Sequence, residues 1–177
     1  MPSEPKRKLA AIMFTDMVGY TALMQKEESK ARELIERHRS LMKPLIEKHN
    51  GELIQYVGDG TLCRFDSAIE AVNSAVEIQK LFKSENGLDL RIGIHVGDIV
   101  IKGEEVYGDG VNVASRIEPL ADAGGVCISE RVFDDIRNQS EFPLPKLDCH
   151  ENQESPVHKH QVFHSFNILH FFLISND

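Results

Sequence analysis

Glu52-Leu53-Ile54-Gln55-Tyr56-Val57-Gly58-Asp59-Gly60-Thr61-Leu62-Cys63-Arg64-Phe65 sets two strand-like runs on either side of a Gly-Asp-Gly turn. An Asp-Gly pair between such runs is a strong hairpin signal, so strands are expected over Glu52 to Val57 and Thr61 to Phe65, with Asp59 in the turn. Around this hairpin, strands and helices interleave. Leu9 to Thr15 is a compact apolar run ending at an acidic residue, which reads as a buried strand with Asp16 at its tip. From Lys26 to His49, large or apolar side chains at Ala31, Leu34, Ile35, His38, Leu41, Met42, Leu45 and Ile46 form a helical stripe, and Gly51 follows as a stop. A second amphipathic helix is expected from Ser67 to Phe82, ended by Asn86-Gly87.

Leu90 to Ile101, rich in Ile and Val with two glycines, predicts a long, bent, central strand. Val111 to Leu120 has helical spacing, Val126 to Ile128 is a short strand, and Ser129 to Arg137 reads as a capped helix. The order is β-α-β-β-α-β-α-β-α. A direct hairpin inside that alternation argues against a fully parallel sheet and for an α/β chain of the α+β kind, a mixed sheet with helices packed on it. Residues 1–8 read as an N-terminal tail, 9–140 as one domain, and 141–177 as an irregular C-terminal segment.

A chain of 177 residues with 41% hydrophobic residues can bury one core. The net charge of −8 argues against nucleic acid or an anionic membrane surface as the main partner, because either needs a basic face. Cys63, Cys127 and Cys149 are odd in number and far apart, which suggests neither a disulfide framework nor a paired-cysteine zinc site and fits a cytoplasmic protein. The run after Lys6-Arg7-Lys8 is too short for a secretory leader and is closed by Asp16. Ile168 to Ile174 falls far below the roughly 20 apolar residues that span a bilayer, so no membrane anchor is expected.

Several polar residues stand where chemistry is possible. With Asp16 at a strand end and a helix following, the backbone N–H groups of Met17, Val18, Gly19, Tyr20 and Thr21 would face whatever sits beside the carboxylate, an arrangement suited to metal plus phosphate. Taken alone, Asp16 reads as a helix cap and Asp59 as a turn residue. Together at one sheet edge, two carboxylates repel unless a cation lies between them, and hard divalent ions with oxygen ligands would serve. Asn112 and Arg116, four apart, share a helix face, which by spacing alone reads as a solvated one. His95 reads as packed within its strand rather than as a base.

Four motifs in order then carry a resemblance: Phe14-Thr15-Asp16-Met17-Val18-Gly19-Tyr20-Thr21, Val57-Gly58-Asp59-Gly60, Arg91-Ile92-Gly93-Ile94-His95-Val96-Gly97 and Gly108-Asp109-Gly110-Val111-Asn112-Val113-Ala114-Ser115-Arg116. From about Leu9 to Ile136 the chain closely resembles class III adenylate and guanylate cyclase domains. The resemblance implies the ferredoxin-like sheet of the nucleotidyl cyclase fold. It implies that Asp16 and Asp59 hold two Mg2+ or Mn2+ ions, that the amides after Asp16 cradle a triphosphate, that Asn112 orients the ribose, and that Arg116 stabilises charge at the α-phosphate. It further implies a homodimer with composite sites, the carboxylates from one copy and Asn112 and Arg116 from the other.

The motifs depart from that family in two places. Adenylate cyclases typically carry Lys and Asp at the purine-reading positions, which here are Gln55 and Glu105. A Gln amide donates or accepts and Glu accepts, so the pair suits adenine, and guanine if the donor faces the other edge. Read as a strand residue, Gln55 simply fills the hairpin. No lysine aligns with the one that usually reaches the triphosphate near the last strands, Lys146 and Lys159 being the candidates. His150, His158, His160, His164 and His170 crowd the same segment with Cys149, but their spacings fit no standard zinc site. The expected activity is conversion of ATP to cyclic AMP, with a guanylate or dual-specificity cyclase, or a catalytically silent nucleotide-binding or dimerisation module, as the alternatives.

Overall fold

The computed structural model describes residues 4–85 and 89–139, and the backbone of 160–165 and 169–174. In chain order the elements are β1 (Lys6–Met17), α1 (Tyr20–Lys26), α2 (Glu28–Lys48), β2 (Glu52–Val57), β3 (Gly60–Phe65), α3 (Ala68–Ser84), β4 (Leu90–Lys102), β5 (Glu105–Tyr107), α4 (Asp109–Ile117), a 3₁₀ turn (Glu118–Leu120), β6 (Val126–Ser129), α5 (Glu130–Ile136), β7 (His160–Ser165) and β8 (Leu169–Ile174). The strands form one mixed sheet in the order β2-β3-β1-β4-β6-β8-β7, with β5 folded back on β4. The expected hairpin and the central place of the Leu90 strand both hold. β1 pairs antiparallel with β3 and β4, while β6 lies parallel to β4, so the sheet is mixed.

Alternate residues of β1 enter different cores. Ala11, Met13 and Met17 pack with α2, α3 and α5 residues such as Met42, Ile78 and Val132, whereas Ala10 and Ile12 pack with Ala114 of α4. A strand buried on both faces must be apolar throughout, which is why Leu9 to Phe14 reads as an unbroken run. Asp16 follows the parity of Ala10 and Ile12 and so belongs to the α4 face.

Several boundaries differ from expectation. Lys6 to Lys8 are not tail: they pair with Ile99 to Ile101, because the 13-residue β4 offers backbone partners beyond the apolar run of β1. The helix expected over 26–49 is α2, a separate short helix α1 precedes it across Glu27 (φ −142°, ψ 70°), and the left-handed residue after α2 is Asn50 rather than Gly51. The glycines of β4 do not serve a bend. A side chain on Gly93 would meet the backbone of Glu118 at 2.5 Å and one on Gly97 the backbone of Gly110 at 2.8 Å, so both let α4 and the 3₁₀ turn lie directly on the strand. Ser129 precedes α5 but does not cap it, because its hydroxyl is engaged with His95 Nδ1 at 2.9 Å.

β5 escapes sequence reading because it is three residues long, joined to β4 through a turn at Gly103 (φ 64°). The segment after residue 140 is not irregular throughout. β7 and β8 pair antiparallel, and β8 adds parallel to β6 by long-range partnership that no local pattern announces. The stop expected at Asn86-Gly87 lies outside the described residues; α3 is capped by Ser67, whose hydroxyl accepts from the Ile69 N–H, and ends at Glu85.

His38 is fully buried between α2 and α3, edge-on to Phe82, with both ring nitrogens unpartnered among the described residues. Burial, aided by Arg39, pushes its pKa down to about 4, so the folded chain holds a neutral imidazole. The unfolded chain takes up the proton near the ordinary value of 6.5, so the contribution is intact above that pH and lost as pH falls toward 4. A shift from pH 7.5 to pH 5 should therefore remove on the order of 2 kcal/mol through this group. Denaturant unfolding should show that loss in the wild type and not in His38→Leu; equal pH slopes would show that His38 is not buried neutral.

Candidate active site

The site forms where β1 and β3 part company. Register runs to Thr15↔Thr61, and Val57↔Gly60 closes the hairpin over a two-residue turn, Gly58-Asp59. The turn dipeptide is thus Gly58-Asp59, with Gly58 at φ 61°, and not the Asp-Gly pair that signalled it. Gly60 serves proximity instead. A Cβ there would stand 1.8 Å from the Thr15 carbonyl oxygen and 3.3 Å from the Asp16 Cα. Thr15 Oγ1, 2.8 Å from Thr61 Oγ1, also accepts from the Thr61 N–H and ties the strands together. As a result Asp59 comes within hydrogen-bonding reach of Asp16.

Arg91, opposite Asp16 in the β1–β4 register, places its Nη2 3.3 Å from Asp16 Oδ2. Its Nε lies 3.8 Å from Oε1 of Glu118, the residue seated over Gly93. Burial holds the Asp16 carboxyl above its ordinary range and Asp59 adds to this, against the opposing pull of Arg91. Burial also pushes Glu118 up to about 7, with Asp16 contributing next. Two carboxyl groups thus flank one guanidinium and a third, Asp59, adjoins Asp16, a charge pattern that calls for a further cation.

The donor set fits a hard divalent ion. Asp16 and Asp59 offer carboxylate oxygens alone, and among the described residues no three His, Cys, Asp or Glu side chains form a complete metal cage. Two carboxylates with the remaining positions left for water and phosphate is how Mg2+ is usually held at phosphoryl-transfer sites. Of the five amides after Asp16, the Val18 N–H donates to the Asp89 carbonyl at 2.8 Å. Gly19 is left-handed and precedes α1 without a side-chain cap. A cleft of about 510 Å³ opens beside Asp59, lined by Tyr20, Thr21, Arg32 and Arg39 among others. A smaller hollow of about 340 Å³ lies at the other end of β1, around Leu9 and Asp66, away from the carboxylates.

Asn112 and Arg116 are exposed on one face of α4, and among the described residues neither bonds to Asp16 or Asp59. Gln55 is exposed on the edge strand β2 and Glu105 on β5, and no contact joins them. Arg91 and Glu118 went unassigned in the sequence reading. Arg91 stands inside a motif quoted for its glycines and histidine, and the signal that could have found it is its parity with Gly93 on the α4 face. Lys146, Lys159, Cys149, His150 and His158 lie outside the described residues, and the other tail histidines are described by backbone alone.

Comparison with known proteins bears on family and fold. The family model of the adenylate and guanylate cyclase catalytic domain matches residues 2–157. A Rhizobium meliloti (strain 1021) protein named "Putative adenylate cyclase 3" is 37% identical over 163 residues, 86% of this chain and 28% of that protein. An adenylate cyclase of Streptomyces coelicolor is 26% identical over 159 residues, 84% of this chain and 42% of that protein. Among solved structures, an adenylate/guanylate cyclase/hydrolase from Silicibacter pomeroyi superposes with a TM-score of 0.73 at 32% identity, covering 86% of this chain and 93% of that one. The mixed sheet and the helices packed on it have the fold of a cyclase catalytic domain. The chain belongs to the adenylate and guanylate cyclase catalytic domain family. It spans less than half the length of these two curated relatives.

Gly60→Ala tests how the carboxylates are brought together. Forcing β3 from β1 should destabilise the fold by about 1–3 kcal/mol and weaken Mn2+ binding, read by thermal unfolding and by titration of Mn2+. Wild-type values in both would show that the close approach is dispensable.

Proposed function

We propose that the chain is an adenylate cyclase domain that converts ATP to 3′,5′-cyclic AMP and pyrophosphate. The observation that carries this reading is the convergence of Asp16 and Asp59 beside the uncapped start of α1. Asp16 and Asp59 would hold two Mg2+ or Mn2+ ions, which when bound lower the pKa of the 3′-hydroxyl and neutralise charge on the triphosphate. The hydroxyl oxygen forms its bond to the α-phosphorus as the bond to the bridging oxygen of the β-phosphate breaks, and the proton leaves to solvent. Met17, Gly19, Tyr20 and Thr21 are the amides proposed for the triphosphate, Val18 being engaged with Asp89. Arg116 meets charge developing at the α-phosphate and Asn112 orients the ribose. Gln55 and Glu105 read the purine; Glu105 retains an acceptor for the adenine amino group, which favours ATP over GTP.

The site is completed by a second copy. Asn112 and Arg116 lie exposed on α4, and among the described residues neither bonds to Asp16 or Asp59. Among the described residues no helix is long and apolar enough to cross a membrane, and the buried free thiols Cys63 and Cys127 suit a reducing cytoplasm.

Purified protein with Mn2+, offered ATP and GTP separately, should yield cyclic AMP in excess, resolved by chromatography. Equal yields would assign a dual-specificity enzyme, and no product from a folded dimer would assign a silent module. Arg116→Ala should lower kcat by roughly 10²–10³ with KM little changed, as expected for a group acting on developing charge. Asp59→Asn and Arg116→Ala chains, each inactive alone, should regain part of the activity when mixed, because one of the two shared sites then carries both intact halves. Failure to complement would place all four groups on one chain.

A further inference from the structure

Arg91 stands between two carboxylates and makes one long hydrogen bond, to Asp16. Its Nη2 is 3.3 Å from Asp16, longer than the roughly 2.7–2.9 Å of a charge-assisted hydrogen bond. On the other side, Arg91 Nε and Glu118 Oε1 are complementary donor and acceptor 3.8 Å apart, and both are buried without a hydrogen-bond partner among the described residues. Such orphaned buried groups are expensive unless a second arrangement pairs them. Closing that gap to an ordinary length of about 2.9 Å requires the guanidinium to travel about 0.9 Å toward Glu118. Gly93 holds Glu118 in place for this, since the 3₁₀ turn rests on β4 only where no side chain intervenes.

We propose that Arg91 is the resident counter-cation of the carboxylate pair, displaced from Asp16 when a divalent ion binds, and that Glu118 is the positioning residue that receives it. The inference rests on the reading of Asp16 and Asp59 as metal ligands. Before the ion arrives, Arg91 offsets the repulsion between Asp16 and Asp59. Once Asp16 is taken up by the ion, like-charge repulsion drives the guanidinium away, and the Glu118 carboxylate, already aligned with Nε, completes its pairing. Arg91 and the metal therefore compete, and Glu118 biases the competition toward the metal.

The test is Mn2+ binding to nucleotide-free protein, followed by water-proton relaxation and calorimetry, with thermal unfolding as a check on folding. Arg91→Met should bind Mn2+ roughly tenfold more tightly than the wild type, since a competitor is gone. Glu118→Gln should bind it roughly threefold more weakly, because Arg91 is left to Asp16 alone. In the Arg91→Met background, Glu118→Gln should change the affinity less than it does in the wild type, as expected of a residue acting through Arg91. Equal or weaker binding by folded Arg91→Met overturns the inference and leaves the metal reading standing. Wild-type binding that is absent, or untouched by Asp59→Asn, overturns the metal reading and this inference with it.

Discussion

The structure depends on holding Asp16 and Asp59 within reach of each other. Like charges in a half-buried place separate unless the backbone forbids it, and here it does. Gly60 brings β3 so near to β1 that its Cα lies against the Thr15 carbonyl, and the Thr15–Thr61 hydroxyl pair locks that contact. With one carboxylate on a strand and the other on a two-residue turn, neither can retreat. Burial first and the nearby Asp59 second hold the Asp16 carboxyl above its ordinary range, and the β1–β4 register sets the Arg91 guanidinium beside it.

The rest of the fold serves this end of the sheet. β4 runs beside β1 along its whole length and delivers Arg91 opposite Asp16. Its two glycines bring α4 and the 3₁₀ turn onto the same face, which sets Glu118 against Arg91. The other face is closed by α2, α3 and α5, with apolar side chains and few polar groups. Among those few, Gln79 donates to the carbonyls of Leu90 and Gly125, tying the base of β4 to the loop before β6 next to Arg91. One face is thereby given to stability and the other, less fully covered, to chemistry.

Asn112 and Arg116 make the division sharper. They sit on the exposed side of the helix whose buried side packs on β1, close in sequence to Glu118 yet directed away from the carboxylates. A rigid helix cannot aim one face at solvent and at the sheet at once, so under the proposed function these two groups would meet the carboxylates through a second copy.

Local patterns made a large part of this legible. The hairpin, the doubly buried strand before Asp16, the helix stripe through Met42 and Ile46, and the four motifs all depend on neighbours in sequence, where turn chemistry and periodicity act directly. What the tertiary structure decided is longer in range. That Asp59 meets Asp16 turns on a glycine pressed against another strand. That Arg91 and Glu118 belong to the site depends on parity across β4 and on a turn seated over Gly93. Strands β5, β7 and β8 were missed because a three-residue strand has no period to read, and because β8 gains its hydrogen bonds from β6, some forty residues away. Sequence alone determined the elements with a local period or turn and the chemical types at hand; which carboxylate stands beside which cation was settled by backbone approaches that only the assembled sheet imposes.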